Sequence, residues 1–126
     1  MEDFNLVLQN LISKDLSGLH TELLSDNLKI EFDKTADVYA KNKNFRNAIK
    51  AYAITGNKEK LISTGLKCLE ENLPYDAFLS FFYADKPDYL NKIGFILLKI
   101  PDVHTSLEAF RKAGNNEMIS FIESNF

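Results

Sequence analysis

Side-chain type recurs along this chain at intervals of about 29 residues, and that recurrence limits the fold more than any other feature. Residues 44–61, 73–90 and 102–119 align without gaps. Ala48, Ala77 and Ser106 coincide, as do Tyr52, Phe81 and Phe110, and then Thr55, Ala84 and Ala113. The preceding segments keep the same offset. Phe32, Leu61 and Leu90 match; Ala36, Gly65 and Gly94 match; Tyr39, Cys68 and Leu97 match. A supersecondary unit that repeats in this way buries its apolar face against its neighbours.

Each unit reads as two helices. In the first, large apolar residues surround a small one, as in Leu61, Gly65, Cys68 and Leu69, a spacing that places them on one helical face. In the second, a small residue is followed four later by an aromatic and three later by another small residue, as in Ala77, Phe81 and Ala84. Small residues let two helix axes approach, and the aromatic fills the space beside them. Gly56 and Gly114 stand where a helix should end, because glycine accepts the left-handed backbone of a C-cap. Asn57 and Asn115 follow as N-caps of the next helix. Pro74, Pro87 and Pro101 fall between helical stretches. Only Phe78 to Tyr83 could pass for a strand, and it stands in register with two helical segments.

The spacing predicts helices over 28–42, 45–55, 58–72, 74–84, 87–99, 102–113 and 116–124. A degenerate copy precedes them, with helices over 4–12 and 16–25 and with Leu19 and Leu23 in the small and aromatic places. The expected organisation is a single domain, 1–126: a degenerate repeat at 3–31, repeats at 32–60, 61–89 and 90–118, and the remainder of a C-terminal cap at 119–126. Terminal units differ because one face has no neighbour to cover it.

The pattern of large, small, aromatic, then small, aromatic, small resembles the tetratricopeptide repeat. Leu61, Gly65, Cys68, Ala77, Phe81 and Ala84 follow it with cysteine for the first aromatic. Phe32, Ala36, Tyr39, Ala48, Tyr52 and Thr55 follow it with threonine last. Leu90, Gly94, Leu97, Ser106, Phe110 and Ala113 follow it with leucine for the first aromatic. The resemblance covers residues 28–119. It departs from the family in unit length, since the family repeat has about 34 residues, and in lacking the family's proline near the end of the second helix. Short units ending in Gly-Asn are also similar to the irregular helical solenoids of coat and ciliary-transport proteins. The resemblance implies an all-α, right-handed α-solenoid of antiparallel helix pairs. It also implies a role as a protein- or peptide-binding scaffold or adaptor whose concave groove is lined by the first helix of each unit.

Carried onto this sequence, the groove positions are Asp33, Asp37 and Lys41; Ile62, Leu66 and Leu69; and Asn91, Phe95 and Leu98. The first set is polar and the others apolar, which suits an apolar or amphipathic helical peptide on Leu66, Phe95 and Leu98. The competing reading is that these residues are covered by the N-terminal helices or pack between repeats, since an apolar stripe at helical spacing is commonly core. Tyr75, Phe78, Phe82 and Tyr83 mark a second face on the helix that also buries Ala77 and Phe81. One neighbour cannot cover them all, so they point either to self-association or to a helix sandwiched on several sides. Lys41, Lys43, Arg46, Lys50, Lys58 and Lys60 form a basic stretch opposed only by Glu59. It reads as a solvated face, or alternatively as a site for an acidic peptide, such as a C-terminal carboxylate, or as an RNA-binding module of helical repeats.

The net charge of −3 argues against nucleic acid as the main partner, because phosphate contacts need a dominant cationic surface. Nucleotide-reading modules also pair aromatics with arginine, a pattern missing here. His20 and His104 are the only histidines and have no metal-ligand spacing to Cys68, the only cysteine. A Cys–His nucleophile pair would have to span distant parts of the chain. Glu70 and Glu71 are adjacent and diverge by about 100° on a helix, so they form no acid/base pair. With no Gly-rich phosphate loop or nucleophile elbow either, the expectation is a non-catalytic protein without cofactor or metal. Met1-Glu2-Asp3-Phe4 is unlike a signal peptide, and the longest apolar run, Phe95 to Leu98, is too short for a bilayer. A cytoplasmic location without membrane insertion is therefore expected.

Overall fold

The computed structural model describes residues 25–126. Among them are seven α-helices and no strand: α1 (Asp26–Lys41), α2 (Phe45–Thr55), α3 (Lys58–Glu70), α4 (Pro74–Ala84), α5 (Pro87–Lys99), α6 (Val103–Ala113) and α7 (Asn116–Asn125). The chain divides into two compact units, residues 1–64 and 65–126, and the boundary falls inside α3. The degenerate pair expected over 4–12 and 16–25 lies outside the described residues, apart from Ser25.

Local chemistry sets the helix ends. Ser25 is the N-cap of α1 and not the last residue of a helix; its Oγ accepts from the Leu28 amide at 3.2 Å, which starts α1 two residues before the expected position. Asn72 takes φ 60° and ends α3 before its expected limit. Gly56 and Gly114 take φ 71° and 72°, as helix C-caps require. At the equivalent place after α4 stands Asp85, with φ 54° despite its Cβ. Pro74 and Pro87 open α4 and α5 at positions whose amide has no intrahelical partner.

The turn inside each helix pair closes with one backbone bond, three times in the same register. The Asn44 amide donates to the Tyr39 carbonyl at 2.8 Å, Leu73 to Cys68 at 2.8 Å, and Asp102 to Leu97 at 2.7 Å. This six-residue closure satisfies a carbonyl that the helix end would otherwise leave bare.

Neighbouring helices pack on one another: α1 on α2 in the first unit, and α4 on α5, α5 on α6 and α6 on α7 in the second. Of the eighteen residues in the recurring register, all are buried except Tyr39 and Ala113, which are half-buried. In the second unit the close fit is explicit. A Cβ placed on Gly65 would lie 2.5 Å from the Phe81 ring, and one on Gly94 would lie 2.7 Å from Phe110. The rings occupy the space a side chain would need. Both are fully buried, which contributes about 3 kcal/mol each. Ser106 Oγ donates to the Gly94 carbonyl at 2.7 Å, so the hydroxyl at the small position is satisfied inside the same contact.

The paired caps do more than start helices. Asn57 Oδ1 accepts from the Lys60 amide at 3.1 Å while its Nδ2 donates to Asp33 Oδ2 at 2.9 Å. Asn115 Oδ1 accepts from the Met118 amide at 3.1 Å while its Nδ2 donates to Asn91 Oδ1 at 2.9 Å. In each unit one asparagine therefore caps a helix and ties it back to the first helix of the preceding pair. The intermediate copy carries Ile62 and Lys86 at those two places, residues that cannot make this bond.

Gly94→Val should lower stability by about 2–3 kcal/mol in urea denaturation, because the Phe110 ring has nowhere to move. In a Phe110→Leu background the same change should cost clearly less; an undiminished penalty would rule out the ring as its cause. Asn57→Ala, which removes a cap and a tie together, should cost about 1–2 kcal/mol in the same assay.

Candidate interaction surface

Asp33 and Asp37, the acidic groove candidates, stand one turn apart on α1 and are both engaged within the molecule. Asp33 accepts from Thr55 Oγ1 at 2.6 Å as well as from Asn57. Asp37 accepts from the Tyr52 hydroxyl and lies 3.5 Å from Lys60 Nζ, yet stays half in solvent. Burial, reinforced by the hydrogen bond to Asp37, pushes the Tyr52 hydroxyl pKa well above the ordinary tyrosine value, so it acts as a donor. Lys41 is exposed in the last turn of α1.

The apolar groove candidates divide. Ile62, Leu66, Leu69 and Leu98 are half-buried, and Asn91 is held by Asn115. Phe95 is 46% exposed, with one side of its ring against Phe110 at 5.0 Å between centroids and 75° between planes. Of this set only Leu69 enters the open cleft that the second unit presents. That cleft has a volume of about 320 Å³ and is walled by Leu69, Leu73, Pro74, Ile96 and Ile100, with Asn72 and Lys99 also lining it. Leu73 and Ile100 are 38% and 44% exposed, so apolar surface reaches solvent there. Leu73, Ile96 and Ile100 were not among the sequence candidates. The signal was present: Leu69/Leu73 and Ile96/Ile100 are apolar pairs four residues apart that the six recurring positions leave unused.

On α4, Tyr75 is exposed and Phe78, Phe82 and Tyr83 are half-buried. Phe82 meets Phe78 at 5.7 Å and Tyr83 at 6.1 Å between ring centroids. Lys112 Nζ stands 4.8 Å from the Phe82 ring centroid and 3.8 Å from Asp85, so α6 partly covers this face. Interaction with the Asp102 carboxylate raises the Tyr75 hydroxyl pKa. The amide and hydroxyl of Thr105, with Tyr75 adding to them, hold the Asp102 carboxyl below the usual carboxylate value. Lys41, Lys43, Arg46, Lys58 and Lys60 are exposed and Lys50 is half-buried; Lys60 is matched by Asp37.

Cys68 is fully buried, and burial, with the Asp76 charge adding to it, pushes its thiol up to about 12. His104 is exposed beside Glu108 at 3.0 Å; His20 lies outside the described residues. Among the described residues no three metal-ligating side chains gather, and no helix is long and apolar enough to cross a membrane. The structure is thus an all-helical array of packed neighbours with an open apolar cleft. Comparison with protein-family models, curated proteins and solved structures gives no match.

Cys68 should not react with a disulfide-exchange reagent at pH 8 in native buffer on the timescale of a free thiol, and should react fully in denaturant. Rapid native labelling would mean that α3 is not packed as described.

Proposed function

We propose that the chain is a right-handed stack of helix pairs that serves as a non-catalytic scaffold for a protein or peptide partner. The cleft walled by Leu69, Leu73, Ile96 and Ile100 carries this reading. The recurring small and aromatic side chains satisfy one another inside helix pairs, and Asp33 and Asp37 of α1 are matched internally. Of the four aliphatic side chains of the cleft, Leu73 and Ile100 are exposed and Leu69 and Ile96 half-buried, and they sit at helix ends and a turn that the interior contacts hold in place. A rigid apolar depression of this kind suits the anchoring side chain of a peptide.

The test is selection of binders from a random peptide library displayed on phage, followed by affinity measurement on Ile100→Asp and Leu73→Ser. Both side chains are partly exposed, so the fold should survive, as circular dichroism would verify. Selected peptides should lose at least about tenfold in affinity. Undiminished binding by a folded variant would remove the cleft from the interaction. Binding to a homopolymeric RNA that falls steeply with salt and is lost in Lys43→Glu/Arg46→Glu would favour a nucleic-acid module in its place.

A further inference from the structure

We infer that the occupant of the cleft is an acidic amphipathic peptide segment, which inserts an apolar side chain and sets carboxylates against Lys92 and Lys99. The inference rests on the cleft being a peptide site and adds the chemistry of the partner. Lys92, Ile96 and Lys99 stand at i, i+4 and i+7 on α5, hence on one helical face. Ile96 lines the cleft, so one lysine lies a turn before it and the other a turn after. Both lysines are exposed, and neither makes an ion pair among the described residues. Lys34, Lys60 and Lys112 each stand within 4 Å of a carboxylate, while Lys92 and Lys99 share their unmatched state with Lys58, Lys67 and Lys86 among the described residues. Asn72 adds an exposed, uncommitted amide at the lining. Of the charged side chains here only Lys99 lines the cleft; Lys92, like Glu70 and Glu71, stands outside the lining.

The shape selects the class of occupant. A volume of about 320 Å³ holds one or two bulky side chains and is small for a cofactor. The lining contains no aromatic ring, whereas single-stranded nucleic acid is held by stacking on aromatics. Two lysines fall short of the cluster of about four to eight cations that anionic membranes attract. An apolar anchor flanked by carboxylates matches the two walls and the two flanking charges at once.

The experiment is an NMR titration of the full ¹⁵N-labelled chain with two helical probe peptides. They share leucine spacing, one carrying glutamate at every polar position and the other lysine. The acidic peptide should move the amide signals of Leu73, Ile96 and Ile100. It should bind about five- to tenfold more tightly than its basic twin, as two exposed ion pairs allow. Lys92→Glu/Lys99→Glu should reverse that order. Equal binding of both peptides at these signals would leave the cleft a peptide site and overturn the charge inference. Absence of any shift there with either peptide would overturn both. Shifts caused by phosphatidylserine vesicles but not by the acidic peptide would place a lipid surface there instead.

Discussion

A phenyl ring seated on a bare helix backbone is the contact on which the second unit depends. Phe81 lies where Gly65 would carry a side chain, and Phe110 does the same at Gly94. Glycine in a helix interior costs about 1 kcal/mol relative to alanine. The buried ring contributes about 3 kcal/mol by the area it removes from water, so the exchange favours folding. The fit is also directional. A helix shifted by one residue turns by about 100° and takes the glycine out from under the ring. Each pair of helices is thereby held in one register, and the turn between them closes on the same backbone bond every time.

That register decides which side chains remain for the surface. The recurring positions take up the small and aromatic residues, and the asparagine caps take up Asp33 and Asn91. The aliphatic residues left over cluster where α3 ends, α4 begins and α5 ends. The cleft is thus a by-product of the repeat length: Leu73 and Ile100 stand at the turns, where no further helix in the same pair covers them. Lys92 and Lys99, both exposed, share one face of α5 with the half-buried Ile96.

The helices were legible because their cause is local and periodic. Spacing alone placed α2, α4 and α5 at their observed limits, and glycine, asparagine and proline marked most of the boundaries. The misplaced ends depended on side-chain bonds that spacing does not show, such as Ser25 to Leu28, or on a left-handed backbone at a residue other than glycine, as at Asn72. The surface was less legible. Of the groove residues carried over by resemblance, Asp33, Asp37 and Asn91 make bonds inside the molecule, and Leu69 is shared with the candidate cleft. The cleft joins two apolar pairs, Leu69/Leu73 and Ile96/Ile100, that run past helix ends and lie outside the six recurring positions, so the repeat by itself did not single them out. Asn57 and Asn115 could be recognised as caps, but their second bond joins residues 24 apart in sequence and appears only in three dimensions.

That second bond makes the two asparagines unequal in chemical ageing. Spontaneous loss of ammonia converts an asparagine amide into a carboxylate and replaces a donor with an acceptor. At position 115 the neighbour is itself an amide, and Asn91 can rotate to present its NH₂ group. At position 57 the neighbour is Asp33, 2.9 Å away, and two negative oxygens would meet across a contact built for a proton. An old molecule would keep the junction before α7 and loosen the one before α3.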